Sequence, residues 1–383
     1  MHYFHELSDP YSHLAVQKLD ALRERYRLSF EVHLVSAAQA EYRGDANRYP
    51  TWALNDAMSI AAGYGVEFPA DALLPSEAQV RSAENALSAR CNTADFATHA
   101  IQIGTQLWAG EIEGASTDTP REVLEGDRLR QRLGHYAGGM FYFEGEWYWG
   151  LDRLYHMEAR LIEEGFGQPP LLVPRPRCAA EPIEAADVTL EYFPSLRSPY
   201  TAISFERTMR LADRTGVNLV IRPVMPMMMR GVPAPTAKGS YIIADAAREG
   251  RAAGDGFGRI VDPFGGPVRQ AFSLLPFMQE HGRVRDFIDG YLRAAWKAGI
   301  DITAERGLAS VVRNMGLDWQ AARDSMNNAV WEQMLEANVN DMLDAGLWGV
   351  PSFRVTGGAD TTPFACWGQD RLWRVDREIR DRA

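Results

Sequence analysis

The sequence is poor in cysteine and shows no metal-ligand spacing of its cysteines or histidines. Its 383 residues include three cysteines, Cys91, Cys178 and Cys366, which lie far apart and form no CxxC pair. Disulfide frameworks, zinc sites and dithiol redox centres are therefore all disfavoured. The eight histidines are scattered without metal-ligand spacing, so no metal site is predicted.

Basic stretches and long apolar runs are also lacking. The formal net charge is −11 and no Lys/Arg-rich run occurs, which argues against nucleic acid as a main partner. No segment has the length and apolar character of a membrane-spanning helix. The N-terminal stretch has the pattern of a strand, a turn and a helix, not that of a signal peptide, so a cytoplasmic location is expected.

What the sequence does contain is a repeat. HYFHELSDPYSHL at 2–14 resembles LEYFPSLRSPYTAI at 190–203, and WYWGLDRLYHME at 147–158 resembles ACWGQDRLWRVD at 365–376. The two matches occur in the same order and include the rare residue Trp. This pattern predicts a tandem duplication.

A Pro-rich segment separates the two copies. It is predicted to be a linker at 166–186, between a first unit at 1–165 and a second at 187–383. A hydrophobic content of 46% and a charged content of 24% are typical of soluble globular protein, and the length allows each unit its own core.

The second copy has the pattern of an interrupted α/β unit. Alternation and aromatic content predict its first strand, and Gly and Pro mark its breaks. Its predicted elements are a strand at Val188–Phe193, a helix from Pro199 to about Gly216, a strand at Asn218–Pro223, a helical region from about Lys238 to Leu347 with N-caps at Asp301 or Thr303 and at Asp318, a strand at Pro351–Val355 and a terminal helix containing Trp373. This order predicts a thioredoxin-like fold with an α-helical insertion; the first copy follows the same plan with a shorter insertion.

The start of the first helix in copy two is the leading candidate site. Ser198 falls at the N-cap and Pro199 at the first helical position, where its missing N–H has no effect on the helix. The free amides and the helix dipole favour an anion there, for example a thiolate. Ser followed by Pro is also a common way to begin a helix, and from the tetrapeptide alone this structural interpretation is favoured.

Further candidates lie near the C-terminus and in the helical region. Val350-Pro351 is compatible with a cis bond that exposes the Val350 backbone to the Ser198 helix, the alternative being a trans Pro at a strand edge. Gln369 and Asp370 either cap their own helix or bind the ammonium and carboxylate groups of a ligand. Three more features have a bland and a functional interpretation: Lys238 and Arg248 either face solvent or meet a carboxylate, and the Met-rich segment 225–229 lines either the core or an apolar pocket.

These motifs together resemble a known family. SPYT after an aromatic strand, RPVMPMMMRGVPAPTAKGSYIIADAAR, GYLRAAWKAGIDI, GLWGVPSF and FACWGQDRLWRVDREI are similar to 2-hydroxychromene-2-carboxylate isomerases and kappa-class glutathione transferases, which belong with DsbA-like thioredoxin-fold proteins. The resemblance runs from about Val188 to the C-terminus, and in copy one it rests mainly on DPYS and WGLDRL. It implies a glutathione-dependent isomerase or transferase acting on a small aromatic, electrophilic substrate.

The resemblance also implies roles for individual residues. Ser198 takes the position of the first Cys of a CxxC and donates a hydrogen bond to the glutathione sulfur. Val350, before the cis-Pro position Pro351, pairs its backbone with the cysteinyl unit. The remaining implied contacts are Gln369 and Asp370 with the γ-glutamyl end and Lys238 with the glycyl carboxylate.

The chain departs from the family pattern in both copies. Val232 replaces an Asn usually credited with orienting the sulfur or the substrate. In copy one Asp9 stands at the position of Ser198, and Met140 is expected at the position of Pro351. A carboxylate would repel a thiolate, so copy one is predicted not to bind glutathione in the family manner, with Ser8 as the only nearby substitute.

Two alternatives to the enzyme remain open. A binding or scaffold protein derived from the family would explain the missing Asn and the altered first copy. A thiol-disulfide oxidoreductase is disfavoured by the absence of CxxC. The two copies are expected to form an internal pseudo-dimer, so that the protein is a monomer or a homodimer.

Overall fold

The computed structural model describes residues 1–326 and 328–383 and divides the chain into two compact units, Met1–Pro176 and Arg177–Ala383. The division falls inside the Pro-rich segment 166–186. Each unit contains one four-stranded sheet with helices, which confirms the predicted α/β class. Among the described residues, no helix has both the length and the hydropathy needed to span a membrane.

The first unit has four short strands and eight α-helices among the described residues. The strands are β1 His2–His5, β2 Glu31–Leu34, β3 Met140–Phe143 and β4 Glu146–Trp149. The helices are α1 Pro10–Val16, α2 Leu19–Tyr26, α3 Ala40–Arg43, α4 Tyr49–Ala61, α5 Glu77–Ser88, α6 Phe96–Trp108, α7 Arg121–Arg132 and α8 Gly150–Glu163, with a 3₁₀ turn at Ala62–Tyr64.

The second unit repeats the strand number and enlarges the helical part. Its strands are β5 Val188–Phe193, β6 Asn218–Ile221, β7 Ser352–Gly357 and β8 Phe364–Trp367. Its helices are α9 Pro199–Thr215, α10 Thr236–Ala252, α11 Gly266–Ser273, α12 Leu275–Glu280, α13 Val284–Arg293, α14 Glu305–Asn314, α15 Trp319–Ser325, α16 Val330–Asp344 and α17 Leu372–Arg382. The shorter helical segments are 3₁₀ turns at Met227–Arg230 and Gln369–Arg371 and a π turn at Ala294–Ala298.

The two sheets share one topology. Their strand orders are β2-β1-β3-β4 and β6-β5-β7-β8. In each sheet the first strand is parallel to the second and antiparallel to the third, and the last two strands form an antiparallel pair. The parallel pairs are joined through helices, as a parallel connection requires.

Local sequence signals agree with the elements of the second unit. The strand predicted at Val188–Phe193 and the helix from Pro199, closed by Gly216 in a left-handed conformation (φ 65°), are both confirmed. The second strand is shorter than predicted and ends at Ile221, because the chain reaches Pro223, which has no N–H for a strand ladder.

Of the two N-caps predicted in the insertion, one is confirmed and the other is wrong. Asp318 caps α15 by accepting hydrogen bonds from the amides of Gln320 and Ala321 at 3.2 and 3.1 Å. The N-cap of α14 is Ala304, so neither Asp301 nor Thr303 has the predicted role. Asp301 instead accepts from the amide and hydroxyl of Thr303, a local turn that competes with capping.

The core of the second unit joins the sheet to the insertion. Tyr192 on β5 stacks on Phe353 of β7 with ring centroids 5.2 Å apart, and the centroid of Phe205 on α9 lies 5.8 Å from that of Tyr192. The same buried cluster includes Phe287 and Trp296 from the insertion. Burial of this continuous apolar surface holds the sheet, α9 and the insertion in fixed positions, which is what builds the site described below.

Candidate functional site

Ser198 is the N-cap of α9. Its Oγ accepts a hydrogen bond from the amide of Thr201 at 3.1 Å, and its carbonyl accepts from Ala202. Pro199 occupies the first helical position, as predicted. The side chain is buried, with 5% of the residue exposed. The capping interpretation is therefore confirmed, and the hydroxyl proton of Ser198 is still available to a second partner, since a hydroxyl both accepts and donates.

The loop before α9 contains a second buried hydroxyl that the sequence did not single out. Ser195 is 1% exposed, and its Oγ has no hydrogen-bond partner among the described residues. The backbone of Ser195 is held, since its carbonyl accepts from the Ser198 amide at 3.1 Å and its own amide donates to the Thr201 hydroxyl at 3.4 Å. The sequence carries no signal that singles out Ser195 among loop serines, because its burial depends on the tertiary structure.

Contacts with the insertion fix this loop. The indole N–H of Trp296 donates to the carbonyl of Leu196 at 3.1 Å. Arg197 makes two hydrogen bonds to the carboxylate of Asp262, at 2.6 and 2.7 Å. The residues between β5 and α9 thus have little freedom to rearrange.

Val350-Pro351 lies at the same end of the sheet. The peptide bond is cis, as the sequence allowed. Pro351 directly precedes β7, and Ser352 pairs with Phe193, the last residue of β5. The loop that leads to Ser198 follows β5, and the Val350-Pro351 peptide precedes the neighbouring strand β7. Both therefore lie at the same end of the sheet.

The Met-rich segment 225–229 lies partly against the core and partly in solvent. Met225 and Met229 pack against the core, while Met228 is 43% exposed. Arg230 connects this segment to the residues before Pro351, since its guanidinium donates to the carbonyls of Met225 and Trp348 at 2.9 and 2.6 Å. Burial of Arg230 lowers its pKa to about 10.

Gln369 is committed to partners within the protein. Its Oε1 accepts from Arg207 of α9 at 2.6 Å, and its Nε2 donates to Glu249 of α10 at 2.6 Å. It is 1% exposed, so both ends of the amide join the two helices. Asp370 is half-buried, with its Oδ1 3.6 Å from the Arg371 guanidinium. The structure gives no side-chain cap to either helical segment that follows Gly368.

Lys238 lies in the first turn of α10 and is 8% exposed. Burial lowers the pKa of its ammonium to about 8, because a low-dielectric environment disfavours the charged form. Arg248, further along α10, donates to the buried carboxylate of Asp245 at 2.7 Å. The solvent-facing interpretation is therefore wrong for Arg248, which pairs with a carboxylate of its own helix.

The corresponding loop of the first unit holds two carboxyl groups. Asp9 caps α1 by accepting from the amides of Tyr11 and Ser12 at 3.3 and 2.9 Å. Glu6 lies in the same loop and accepts from the Ser8 hydroxyl at 2.9 Å. Burial raises the pKa of both carboxyl groups, and the charge of Asp9 raises that of Glu6 further. Ser8 is thus engaged with Glu6.

The strand register corrects the predicted role of Met140. Met140 pairs with Trp149, and Ser352 pairs with Trp367, so matching the two Trp residues aligns Met140 with Ser352. The residue at the position of Pro351 is therefore Gly139. A Cβ on Gly139 would lie 2.9 Å from the Asp9 carboxylate, and its φ of +63° is one that L side chains rarely adopt.

A hydrogen bond between a tyrosine and a buried aspartate recurs in the two units and was missed by sequence reasoning. Tyr11 donates to Asp56 at 2.7 Å, and Tyr200 donates to Asp245 at 2.8 Å. In both pairs the residues are 45 apart in sequence. That equal spacing is a signal that a comparison of the two copies beyond the Pro-Tyr motif would have found.

None of the three cysteines forms a disulfide among the described residues, and their burial ranges from partial for Cys91 and Cys178 to nearly complete for Cys366. Burial raises the pKa of Cys91 to about 11 and also raises that of Cys178, and Cys366 is 3% exposed. A thiol with a raised pKa is a poor nucleophile at neutral pH. None of them stands at the start of α9.

Comparison with known proteins agrees with this architecture. Residues 189–380, half of the chain, match the model of the DSBA-like thioredoxin domain. The chain belongs to the DSBA-like thioredoxin family. A search of curated proteins found no match for this DSBA-like chain.

Several solved structures are similar in fold to half of this DSBA-like chain. A 2-hydroxychromene-2-carboxylate isomerase is 18% identical, with a TM-score of 0.42, over 50% of this chain and 95% of its own. The cytosolic disulfide reductase DsbM from Pseudomonas aeruginosa is 18% identical, with a TM-score of 0.39, over 51% and 98%. A probable DsbA oxidoreductase from Streptomyces coelicolor is 18% identical, with a TM-score of 0.40, over 51% and 91%.

Proposed function

We propose that the second unit binds glutathione at the start of α9 and acts as a glutathione-dependent isomerase or transferase on a small aromatic electrophile. The observation that carries this proposal is the hydroxyl of Ser198 at the N-cap of α9, the position at which the resemblance implies a Ser in place of the first Cys of a CxxC. The chain offers no thiol there, so the thiolate that the proposed reaction uses would come from a bound cofactor.

The start of α9 suits a thiolate for two reasons. Helix amides and the helix dipole favour an anion at this end. The Ser198 hydroxyl accepts its hydrogen bond from Thr201 and has its own proton left to donate to sulfur. When bound, glutathione would supply the nucleophile that adds to the substrate. The protein's part is to hold the sulfur and keep it ionised.

Two further groups fit an anionic tripeptide. Ser195 offers a buried, unpartnered hydroxyl in the loop that ends at Ser198, and a ligand that hydrogen-bonds to it would remove a desolvation penalty. Lys238 carries a buried ammonium whose charge would be stabilised by a glycyl carboxylate.

The γ-glutamyl end has a weaker fit than the resemblance implies. Both polar atoms of the Gln369 amide already bond to Arg207 and Glu249, so this residue fixes the turn that presents Asp370. We therefore propose Asp370, which is half-buried, as the residue that contacts the γ-glutamyl ammonium. Val350 is proposed to pair its backbone with the cysteinyl unit.

Isothermal titration calorimetry with glutathione tests the proposal. Ser198→Ala is expected to weaken binding roughly 10- to 100-fold, since a hydrogen bond to a charged group contributes about 1.5–3 kcal/mol. Ser198→Asp keeps a good N-cap but places a carboxylate against the thiolate, and is expected to abolish binding. It reproduces in the second unit what Asp9 does in the first.

Asp318→Ala is the matched control, because it also removes an N-cap in the second unit but lies on α15. It is expected to bind glutathione as the wild type does. If the wild type binds no glutathione at millimolar concentration, or if Ser198→Asp binds as well as the wild type, the proposal is wrong.

Ser195→Ala gives an independent test of the same site. Because the Ser195 hydroxyl has no protein partner, its removal is expected to leave the thermal midpoint unchanged or slightly higher, while glutathione affinity falls. A loss of stability together with unchanged affinity would assign Ser195 to the fold instead of the site.

A non-catalytic binding protein is the second candidate. It is favoured by Val232, which offers no donor at the position of the family Asn, and by the internal bonds of Gln369. Glutathione binding without turnover of a chlorodinitrobenzene or a hydroxychromene carboxylate would support it. No comparable observation favours dithiol exchange, because the three cysteines form no CxxC pair and no disulfide among the described residues.

A further inference from the structure

Three side chains with metal-binding groups meet on the sheet of the first unit. His2 lies on β1 and directly opposite Glu31 on the parallel strand β2, while His33 lies two residues further along β2. Alternate residues of a strand share a face, so Glu31 and His33 point the same way. The sequence hides this cluster, because His2 lies about 30 residues from the other two.

The distances are close to those of a metal site. His2 Nδ1 lies 3.0 Å from His33 Nε2 and 3.4 Å from Glu31 Oε2. One ligand atom from each of the three residues lies within 4.8 Å of the others. A tetrahedral zinc ion with Zn–N bonds of about 2.0–2.1 Å separates two nitrogen ligands by roughly 3.3 Å. The imidazoles need to part by only a few tenths of an ångström.

Aromatic rings pack against both imidazoles. Phe4, which is fully buried, stacks on His33 with ring centroids 5.0 Å apart, and the ring centroid of Tyr142 lies 6.0 Å from that of His2. The backbone of both histidines belongs to paired strands. Rigid support of this kind lowers the entropy that ligands lose on binding an ion.

The equivalent position of the second unit holds a cluster of charged side chains instead. There Glu191 on β5 is opposite Val220 and bonds to Arg222, with the Arg354 guanidinium also on its carboxylate. That cluster is a satisfied set of opposite charges. In the first unit two imidazoles, joined by a hydrogen bond, and a carboxylate take its place, and each of the three can offer a ligand atom to an ion.

We propose that His2, Glu31 and His33 bind one Zn²⁺ ion with a fourth coordination position open to water. Imidazole nitrogen and carboxylate oxygen are ordinary zinc ligands, and three protein ligands plus a water is the arrangement of zinc sites that keep an open position. Glu31 is mostly exposed, and His33 lines a cleft of about 430 Å³, so an ion can reach the site from solvent. The site belongs to the first unit and is independent of the glutathione proposal.

The test is a zinc titration of the full-length chain after chelator treatment, without an affinity tag and without glutathione, which itself binds zinc. Calorimetry is expected to show one site per chain. Co²⁺ is expected to give the visible absorption of a four-coordinate ion, a signature that adventitious surface binding does not give.

Variants make the assignment specific. Glu31→Gln and His33→Gln are each expected to weaken zinc binding more than about tenfold, because even the loss of a residue that only supports a metal ligand costs about 10–100-fold. His99→Gln is the matched control: His99 lies 3.0 Å from Asp95 but belongs to no three-residue cluster among the described residues. It is expected to bind as the wild type does.

No zinc binding at micromolar ion, or equal affinities for Glu31→Gln, His33→Gln and the wild type, would overturn the proposal. Glu31 is exposed, so its variant keeps the test valid even if His33→Gln disturbs packing. Circular dichroism of each variant checks that the fold is retained.

Discussion

His13 on α1 is an ionisable residue that the fold holds in its neutral form. It is 3% exposed, and its Nδ1 has no hydrogen-bond partner among the described residues. The ring packs edge-on against Phe68, and Gly104 makes room for it, since a Cβ there would lie 2.4 Å from Nδ1. Burial lowers the pKa of His13 to about 4.

The sign of its effect on stability follows from that shift. Between pH 6.5 and about 4 the unfolded chain protonates His13 and the folded chain does not, so stability is lost as pH falls through this range. Over this pH range we expect the free energy of unfolding of His13→Gln to fall by up to about 3 kcal/mol less than that of the wild type. Urea denaturation at a series of pH values measures it.

The control for this prediction is the range above pH 6.5, where His13 is neutral in both the folded and the unfolded chain. There the free energies of unfolding of His13→Gln and of the wild type are expected to run parallel with pH, because the exchange changes no titrating group. An unchanged slope for His13→Gln would mean that His13 reaches solvent when it is protonated.

Among the elements, the helix that follows the first strand is tied to a later helix in the same way in both units. Tyr11 connects α1 to α4 through Asp56, and Tyr200 connects α9 to α10 through Asp245. Both aspartates are buried. The tyrosine hydroxyl supplies one of the hydrogen bonds that a buried carboxylate needs in place of water.

Tyr11→Phe and Tyr200→Phe are each expected to lower the free energy of unfolding by about 1–3 kcal/mol, the usual effect of taking one donor from a buried acceptor. Tyr148→Phe is the matched control, because Tyr148 donates at 2.7 Å to Glu146, whose side chain is 53% exposed. Water can replace that donor, so a smaller effect is expected. Equal losses in all three variants would show that burial of the aspartates is not the cause.

The helical insertion shows where element prediction stops. The sequence predicts one mainly helical region from about Lys238 to Leu347, and the described part of it contains seven α-helices, α10 to α16. Capping signals located α15 but not α14, which has no side-chain cap. Where caps are absent, helix limits depend on packing against neighbouring helices, and a local pattern cannot supply them.

For the whole molecule, the shared sheet order agrees with the repeated motifs. Tyr3–Ser12 aligns with Tyr192–Thr201 without a gap. The loops in these two segments follow β1 and β5, which pair in the same antiparallel way with β3 and β7. Duplication itself stays a prediction, because no comparison tests it. The alignment also locates the main difference, which is Glu6 and Asp9 in one loop against Ser195 and Ser198 in the other.

Because each unit has its own sheet and core, we expect residues 1–176 and 177–383 to fold separately. Each fragment should unfold cooperatively with urea. Only the second is expected to bind glutathione, and only the first to bind zinc at one site. A fragment that is unfolded alone but stable in the full chain would show that its core is completed by the other unit.

Taken by itself, the sequence determined the features that depend on near neighbours. The N-cap at Ser198, the start of α9 at Pro199 and the strand at Val188–Phe193 follow from patterns a few residues long. The tertiary structure alone decided which distant groups meet, such as Gln369 with Arg207 and His2 with His33. The physical reason is that caps and alternation act within one turn or strand, whereas strand register and helix packing are set by burial of whole faces at once.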